Sequence, residues 1–296
     1  MRERVDLHVH SDKSSDGDFT AAELVGFARE HGLRAISIAD HDTVAAYPEA
    51  VETGRRAGVE VIPSIEVTTV FTGREFHILL PFVDWASPAV RRIVDRQTEC
   101  REVETRERVD KIRKLGFALT MDEIEAKSNG VAVLGVKIAQ ILLENPANEG
   151  NPALEPFYRP ENRSHAPYLF YKEYFAEGRP AYVPKRFIGS LEVLAAAPAS
   201  GAAPVLAHPG AYFQRTTAGD ARTLTENGLL GMEVYNFYHT AEQTAFYRGL
   251  AEELGLVATA GSDFHGRIKP HVAFGALADG DYGMVERLRE RRGGAS

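Results

Sequence analysis

With 296 residues, 44% of them hydrophobic, the chain can bury a large core, as one large α/β domain or two ordinary ones. Its formal net charge of -8 argues against a general nucleic-acid-binding surface, while leaving room for a phosphorylated substrate wherever bound cations invert the local field. A single cysteine, Cys100, rules out an internal disulfide. No stretch approaches the ~20 apolar residues that cross a bilayer, and the charged start from Arg2 to Arg4 lacks a signal peptide's apolar segment. The expectation is a cytoplasmic protein with no membrane partner.

Residues 5–10 read as a strand. A strand sends alternate side chains to one face, so His8 and His10 at its end point the same way. Residues 20–31 read as a helix, with Thr20 as cap, Glu23 closing a capping box and Gly32 ending it. A second strand covers 34–40, a helix 44–57 stops at Gly58, and a third strand covers 59–67; residues 76–83 pair back on it across a turn at Thr72-Gly73. Strands separated by helices of this length predict βαβ units and a parallel sheet. Residues 87–115 are dense in Arg and Glu, with apolar spacing at Val90, Ile93, Val94, Val103 and Ile112. That is a long amphipathic helix whose charged face is solvated, and no chemistry is assigned to it. Residues 116–184 have the texture of an insertion: short helices at 121–128 and 137–144, a Pro/Asn/Gly loop at 145–160, and an aromatic stretch from Tyr168 to Phe175. Alternation then resumes, with helices at 190–197, 221–227 and 241–254 and strands at 204–208, 230–236 and 256–262. The predicted organisation is an α/β body from 1–115 and 185–296, interrupted by a helical cap at 116–184.

Histidines and carboxylates fall repeatedly at strand ends: His8 and His10, then Asp40-His41-Asp42, Glu66, His77, His208, and Asp263 with His265. In barrels and open parallel sheets those ends converge, so residues distant in sequence meet there. Nitrogen and carboxylate donors without thiolates suit Zn, Mn or Fe, and a shared carboxylate can hold two ions ~3.5–4 Å apart. Such a cluster supplies hydroxide at neutral pH and clamps a phosphate.

Asp6-x-His8-x-His10-Ser11, Ala39-Asp40-His41-Asp42, Ala207-His208-Pro209-Gly210 and Gly261-Ser262-Asp263-Phe264-His265 resemble, in order and strand context, the motifs of the PHP family, named for polymerase and histidinol phosphatase. The resemblance covers residues 1–83 and 185–275 well and the insertion weakly. It implies a distorted (β/α)7 TIM-like barrel with three divalent metal ions. By motif position, the first ion would take His8, His10, Glu66 and Asp263. Glu66 would bridge to a second held by His77 and His208. The third would take Asp16, His41 and His265, with Asp12 as the alternative to Asp16. Within the family the chain resembles the small stand-alone phosphoesterases, which include 3′,5′-nucleotide bisphosphate phosphatases, through Asp16-Gly17 and the run from Glu177 to Pro184. Those relatives usually open the second insertion helix with a Gly-Arg-Pro-His-like segment, where this chain has Leu134-Gly135-Val136-Lys137.

On the substrate side, the candidates for outer phosphate oxygens are Arg179, Lys185 and Lys137, the last standing in for the missing arginine, with His271 on the loop after the final motif. Asn236 ends a strand at the same face and can hydrogen-bond a base or sugar. Asp40, His208 through a neighbouring water, and His239 are the candidates for protonating the leaving alkoxide; Asp40 is alternatively the residue that orients His41. The expected function is hydrolysis of a phosphomonoester of a small metabolite or nucleotide by a metal-bridging hydroxide, with the insertion as a lid and no stable nucleic-acid partner. The alternatives are a phosphodiesterase or exonuclease acting at nucleic-acid ends, a metal-dependent C–N or C–O hydrolase, and a non-catalytic metal-binding module.

Overall fold

The structure is a computed structural model that describes residues 3–14, 16–128, 133–277 and 279–293. The first half alternates β1 (Arg4–Val9), α1 (Ala21–Glu30), β2 (Leu33–Ile38), α2 (Glu49–Ala57) and β3 (Glu60–Val61). At α1 the Thr20 hydroxyl accepts from the Glu23 amide while the Glu23 carboxylate accepts from the Thr20 amide, so two otherwise unpaired N–H groups are satisfied together. Helix α2 starts five residues later than the 44–57 pattern suggests, because Pro48 occupies its N-cap and disfavours helical geometry in the residue before it.

The expected single strand at 59–67 is two. Pro63 cannot donate to a ladder, so pairing stops after Val61, and β4 (Glu66–Phe71) begins beyond it. β4 pairs antiparallel with β5 (Arg74–Leu79), Phe71 opposite Arg74, across the Thr72-Gly73 turn. Then come α3 (Pro88–Lys114), capped by Ser87, and the insertion helices α4 (Met121–Lys127), α5 (Gly135–Leu143), α6 (Glu155–Tyr158) and α7 (Ala166–Phe170). The chain returns through α8 (Ser190–Ala196), β6 (Val205–Leu206), α9 (Ala218–Glu226), β7 (Gly231–Tyr235), α10 (Ala241–Glu253) and β8 (Val257–Ala260). It ends in α11 (Gly283–Gly293), a helix the sequence reading did not anticipate.

The strands form a mixed α/β fold in two sheets, β1-β2-β3 and β4-β5-β6-β7-β8. All pairs are parallel except β4–β5 and β5–β6. Backbone bonds join the sheets at two places. Asp263 N donates to His8 O and His10 N to Phe264 O, at 2.8 and 2.9 Å; Glu66 N donates to Asp40 O and Asp42 N to Glu66 O, at 3.1 and 2.9 Å. Both junctions involve residues that carry the sequence motifs.

One apolar cluster runs from Ile65 and Phe76 to Leu250 between the larger sheet and its helices, and another packs α1 and α2 on β2. A third includes Ile138, Leu154, Phe170 and Ala181 and begins with Val109 and Ile112 on α3. Among the described residues, no helix is long and apolar enough to cross a membrane.

Candidate metal centre

Alternation along β1 puts Asp6, His8 and His10 on one face, all fully buried. Asp6 accepts from the Ser262 amide at 2.9 Å, which ties β1 to the turn carrying Asp263; burial lifts the Asp6 carboxyl to about 6. Glu66, at the start of β4, reaches into the same space. The Nε2 atoms of His8 and His10 lie 3.0 Å apart, each within 3.4 Å of Glu66 Oε2 and Asp263 Oδ1. Asp42, His208 and Asp263 have φ values of 56°, 23° and 58°, a region that non-glycine residues enter at a cost of about 1–3 kcal/mol. That three such residues meet at the motif loops marks the place where geometry is held against local preference.

Burial alone would raise the carboxyl groups of Glu66, Asp16 and Asp263. The imidazoles around them, and Lys269 beside Asp263, hold all three well below their ordinary values. Burial pushes His41 and His265 down, so both present a neutral ring with a lone pair. His77 goes the other way: Glu66 and Glu75, on its two nitrogens at 2.8 and 3.0 Å, overcome burial and lift it to about 9. His8 and His10 are raised likewise, Glu66, Asp263 and, for His8, Glu233 outweighing burial. The ionised acids and the neutral His41 and His265 are in the protonation states that metal ligation needs, and His8, His10 and His77 would each give up a proton to a bound cation.

Three sets of donors converge within 4.8 Å: His8, His10, Glu66 and Asp263; His10, Asp16, His41 and His265; and His41, Glu66 and His77. The first set coincides with the expected one. In the second, His10 joins Asp16, His41 and His265. In the third, His41 takes the place expected of His208, whose Nε2 nonetheless lies 2.9 Å from Glu66 Oε1. Asp16 is buried within its set, whereas Asp12 is half-exposed and paired with Lys13. The donor chemistry fits a cation. His10 Nδ1, His41 Nδ1, Glu66 Oε2, His208 Nδ1 and His265 Nε2 are buried without hydrogen-bond partners. The His265 Nδ1–H donates to Asp263 O at 2.8 Å, which leaves its orphaned Nε2 as a lone pair facing Asp16 Oδ2 at 3.3 Å.

The centre opens into a cavity of about 410 Å³. Asp16, His41, His77, His208 and Asp263 line one part; Arg108, Tyr168, Tyr171, Tyr182, Lys185, Tyr212, Tyr238 and Lys269 are among the residues lining the remainder, with the acids Glu75 and Glu177. Lys185 is therefore in place; its Nζ donates to Glu75 Oε2 and Glu104 Oε1, each at 3.0 Å. Several other expected residues are elsewhere. Lys137 bonds Gln140 along its own helix, Arg179 is exposed beside Glu173, and His271 is exposed outside the cavity lining. Asn236 spends its amide on Glu233 and Gly261 O, so it braces the scaffold. His239 takes the Gly210 N–H on Nε2 and gives its own proton to Val234 O; burial lowers it further, so it has no proton to offer a leaving group. Asp40 is locked onto the Ser11 amide and hydroxyl at 2.6 and 2.7 Å, away from the cavity.

Sequence reasoning missed two features. Glu233, buried on β7, holds His8 Nδ1 at 3.1 Å and His208 N at 2.8 Å; its only signal was an acid inside an apolar strand. On α3, the face read as wet is in part buried: Gln97, Arg101, Glu104 and Arg108, at helical spacing, point inward. Arg101 pairs with Asp42 through two nitrogens, and Gln97 bonds Asp42 and Thr68 O.

A family profile described as PHP domain matches residues 6–116. The 5'-3' exoribonuclease Rnm of Salmonella typhimurium is 31% identical over 274 residues, covering 88% of this chain and 84% of that protein. The chain belongs to the PHP family. Among other relatives, the 3',5'-nucleoside bisphosphate phosphatase of Chromobacterium violaceum is 24% identical over 270 residues, covering 88% and 87%. A solved chain from Bifidobacterium adolescentis, classed as a metal-dependent phosphoesterase, superposes with a TM-score of 0.80 at 26% identity, covering 97% and 96%. This PHP protein is a metal-dependent phosphoric ester hydrolase.

Proposed function

We propose that this enzyme hydrolyses a phosphomonoester of a small phosphorylated metabolite or nucleotide, such as a nucleoside 3',5'-bisphosphate. The observation that carries the reading is a single cavity of about 410 Å³ lined both by the donor cluster and by lysines and tyrosines. That volume suits one enclosed small ligand, and the aromatic faces offer a surface for a base or sugar. In this reading the two sheets make a distorted (β/α)7 barrel and residues 116–184 its cap. Glu66 would be shared between an ion on His8, His10 and Asp263 and one on His77 with His208 or His41, while Asp16, His41 and His265 would serve a third.

Divalent ions bound there lower the pKa of water and neutralise charge on phosphoryl oxygens; the donor set suits Mn, Zn or Fe. The protein's own groups do the positioning. Glu233 fixes the His8 ring, Glu75 fixes His77, and Lys269, beside Asp263 and over the Tyr238 ring, presents positive charge to the cavity. His208, which lines the cavity, remains the candidate in this reading for holding a water for the leaving alkoxide.

A second reading, exonucleolytic attack at an RNA 5' end, is favoured by the similarity to the Salmonella exoribonuclease. Assaying adenosine 3',5'-bisphosphate and a 5'-phosphorylated oligoribonucleotide side by side, with Mn present, separates the two. Release of inorganic phosphate from the bisphosphate supports the proposal. Mononucleotide release from the oligomer, with the bisphosphate untouched, overturns it.

A further inference from the structure

A chain of ion pairs runs from the donor cluster out to α3 and back, closing on itself. It starts at His77, on β5, whose Nε2 lies 3.0 Å from Glu75 Oε1. Lys185 Nζ bridges Glu75 Oε2 and Glu104 Oε1, each at 3.0 Å. Glu104 Oε2 lies 3.3 Å from Arg101 Nη1, and the same guanidinium donates through Nε and Nη2 to Asp42 Oδ2 at 3.0 and 2.8 Å. The Asp42 amide donates to Glu66 O at 2.9 Å, and Glu66 Oε1 returns to His77 Nδ1 at 2.8 Å. Asp42, Arg101 and Glu104 are buried; Glu75 and Lys185 are half-buried.

The ring passes through Glu66 and His77 and adjoins His41, the residue before Asp42. Those three make up one of the convergent donor sets. Donors of the other sets have separate supports: Glu233 on His8, the Ser14 hydroxyl on Asp16 and the Asp263 carbonyl on His265. Arg101 and Glu104 stand three residues apart on α3 and so face the same way. Lys185 lies on the segment that leads from the insertion back to α8. Two stretches that carry no donor of their own therefore reach one donor set.

An imidazole on a metal is oriented by what its other nitrogen meets. For His77 that partner is Glu75, and Glu75 is in turn held by Lys185. Without the ammonium, Glu75 and Glu104 would face each other as carboxylates with no cation between them, and their repulsion would draw Glu75 off the His77 ring.

We propose that Lys185 and Glu104 are positioning residues for one metal ion, the one that takes Glu66 and His77, and that they act on it through Glu75 while Arg101 anchors the far end at Asp42. This brace rests on the proposed function only for the placing of an ion at Glu66 and His77.

The test titrates Mn into the full-length protein without substrate, counting free Mn by its electron paramagnetic resonance signal. Phosphate release from adenosine 3',5'-bisphosphate is followed in parallel. Lys185→Met is expected to weaken one bound Mn per chain roughly 10- to 100-fold and leave the others within about threefold. Turnover lost at low Mn should return at high Mn, and Lys185→Arg should recover most of the affinity. Glu104→Gln should produce the same selective loss, which covers the case in which Lys185→Met fails to fold. Glu102→Gln, exposed on the same helix, should change nothing. Equal weakening of every bound Mn, or no weakening, in folded Lys185→Met or Glu104→Gln overturns the brace. Selective loss of one Mn in a protein that releases no phosphate upholds the brace and overturns the function.

Discussion

Two imidazole nitrogens 3.0 Å apart, with carboxylates on either side, are tolerable at His8 and His10 only if the proton of each ring is directed elsewhere. For His8 the director is Glu233, which takes its Nδ1–H. Glu233→Gln should therefore weaken metal affinity about 10- to 100-fold, read by competition with a chelating dye; unchanged affinity would remove Glu233 from that role. Asp263→Ala, by contrast, deletes a donor shared among several neighbours and should abolish both metal content and turnover. His239→Ala should leave turnover within about threefold, since both ring nitrogens serve the backbone, and cost about 1 kcal/mol of stability from the lost hydrogen bonds. A large loss of turnover with normal stability would return His239 to the chemistry.

At the scale of elements, α3 separates what a sequence displays from what it conceals. Its apolar spacing announces a helix, and the capping box at Thr20 announces another, because those signals are local. The metal motifs were legible for the same reason: alternation on β1 alone puts His8 beside His10. The buried stripe of α3 was not, since an Arg or Glu that will meet Asp42 or Lys185 reads the same along the chain as one that will meet water. Pro63 was the visible warning that residues 59–67 could not be one strand.

Two predictions belong to this helix. Arg101→Met leaves Asp42 buried without its partner and should cost about 3–5 kcal/mol, measured by denaturant unfolding, while Arg91→Ala on the exposed face should be close to neutral. Burial would raise Glu104, but Arg108, Lys185 and Arg101 pull it from 4.5 down to about 2. A depressed carboxylate stabilises the fold above its unfolded value and loses that contribution as pH falls through the folded one. The stability gap between the wild type and Glu104→Gln should therefore be widest above pH 4.5 and close as the pH approaches 2, followed by thermal melts; a gap constant across that window contradicts the ion-pair account.

For the whole molecule, donors drawn from both sheets meet at one place, so anything bound there by the folded state alone stabilises the entire fold. Adding Mn to about a hundredfold excess over its Kd should raise the melting temperature by about 5–10 °C, and a chelator should reverse it. No shift at millimolar Mn would argue that the cluster is not a metal site. Helix α3 bears on the same question of how the parts act together. Its 27 residues, about 40 Å of unbroken helix, bury Val90 and Ile93 in the cluster around the larger sheet and Val109 and Ile112 in the one that includes Ile138 and Phe170. A jaw needs a pivot, and the crossing point here is a continuous rod. With that rod continuous between the two clusters, the expected limit on the molecule accepted is the set of cavity walls, Tyr168 and Tyr212 among them, more than a hinged closure.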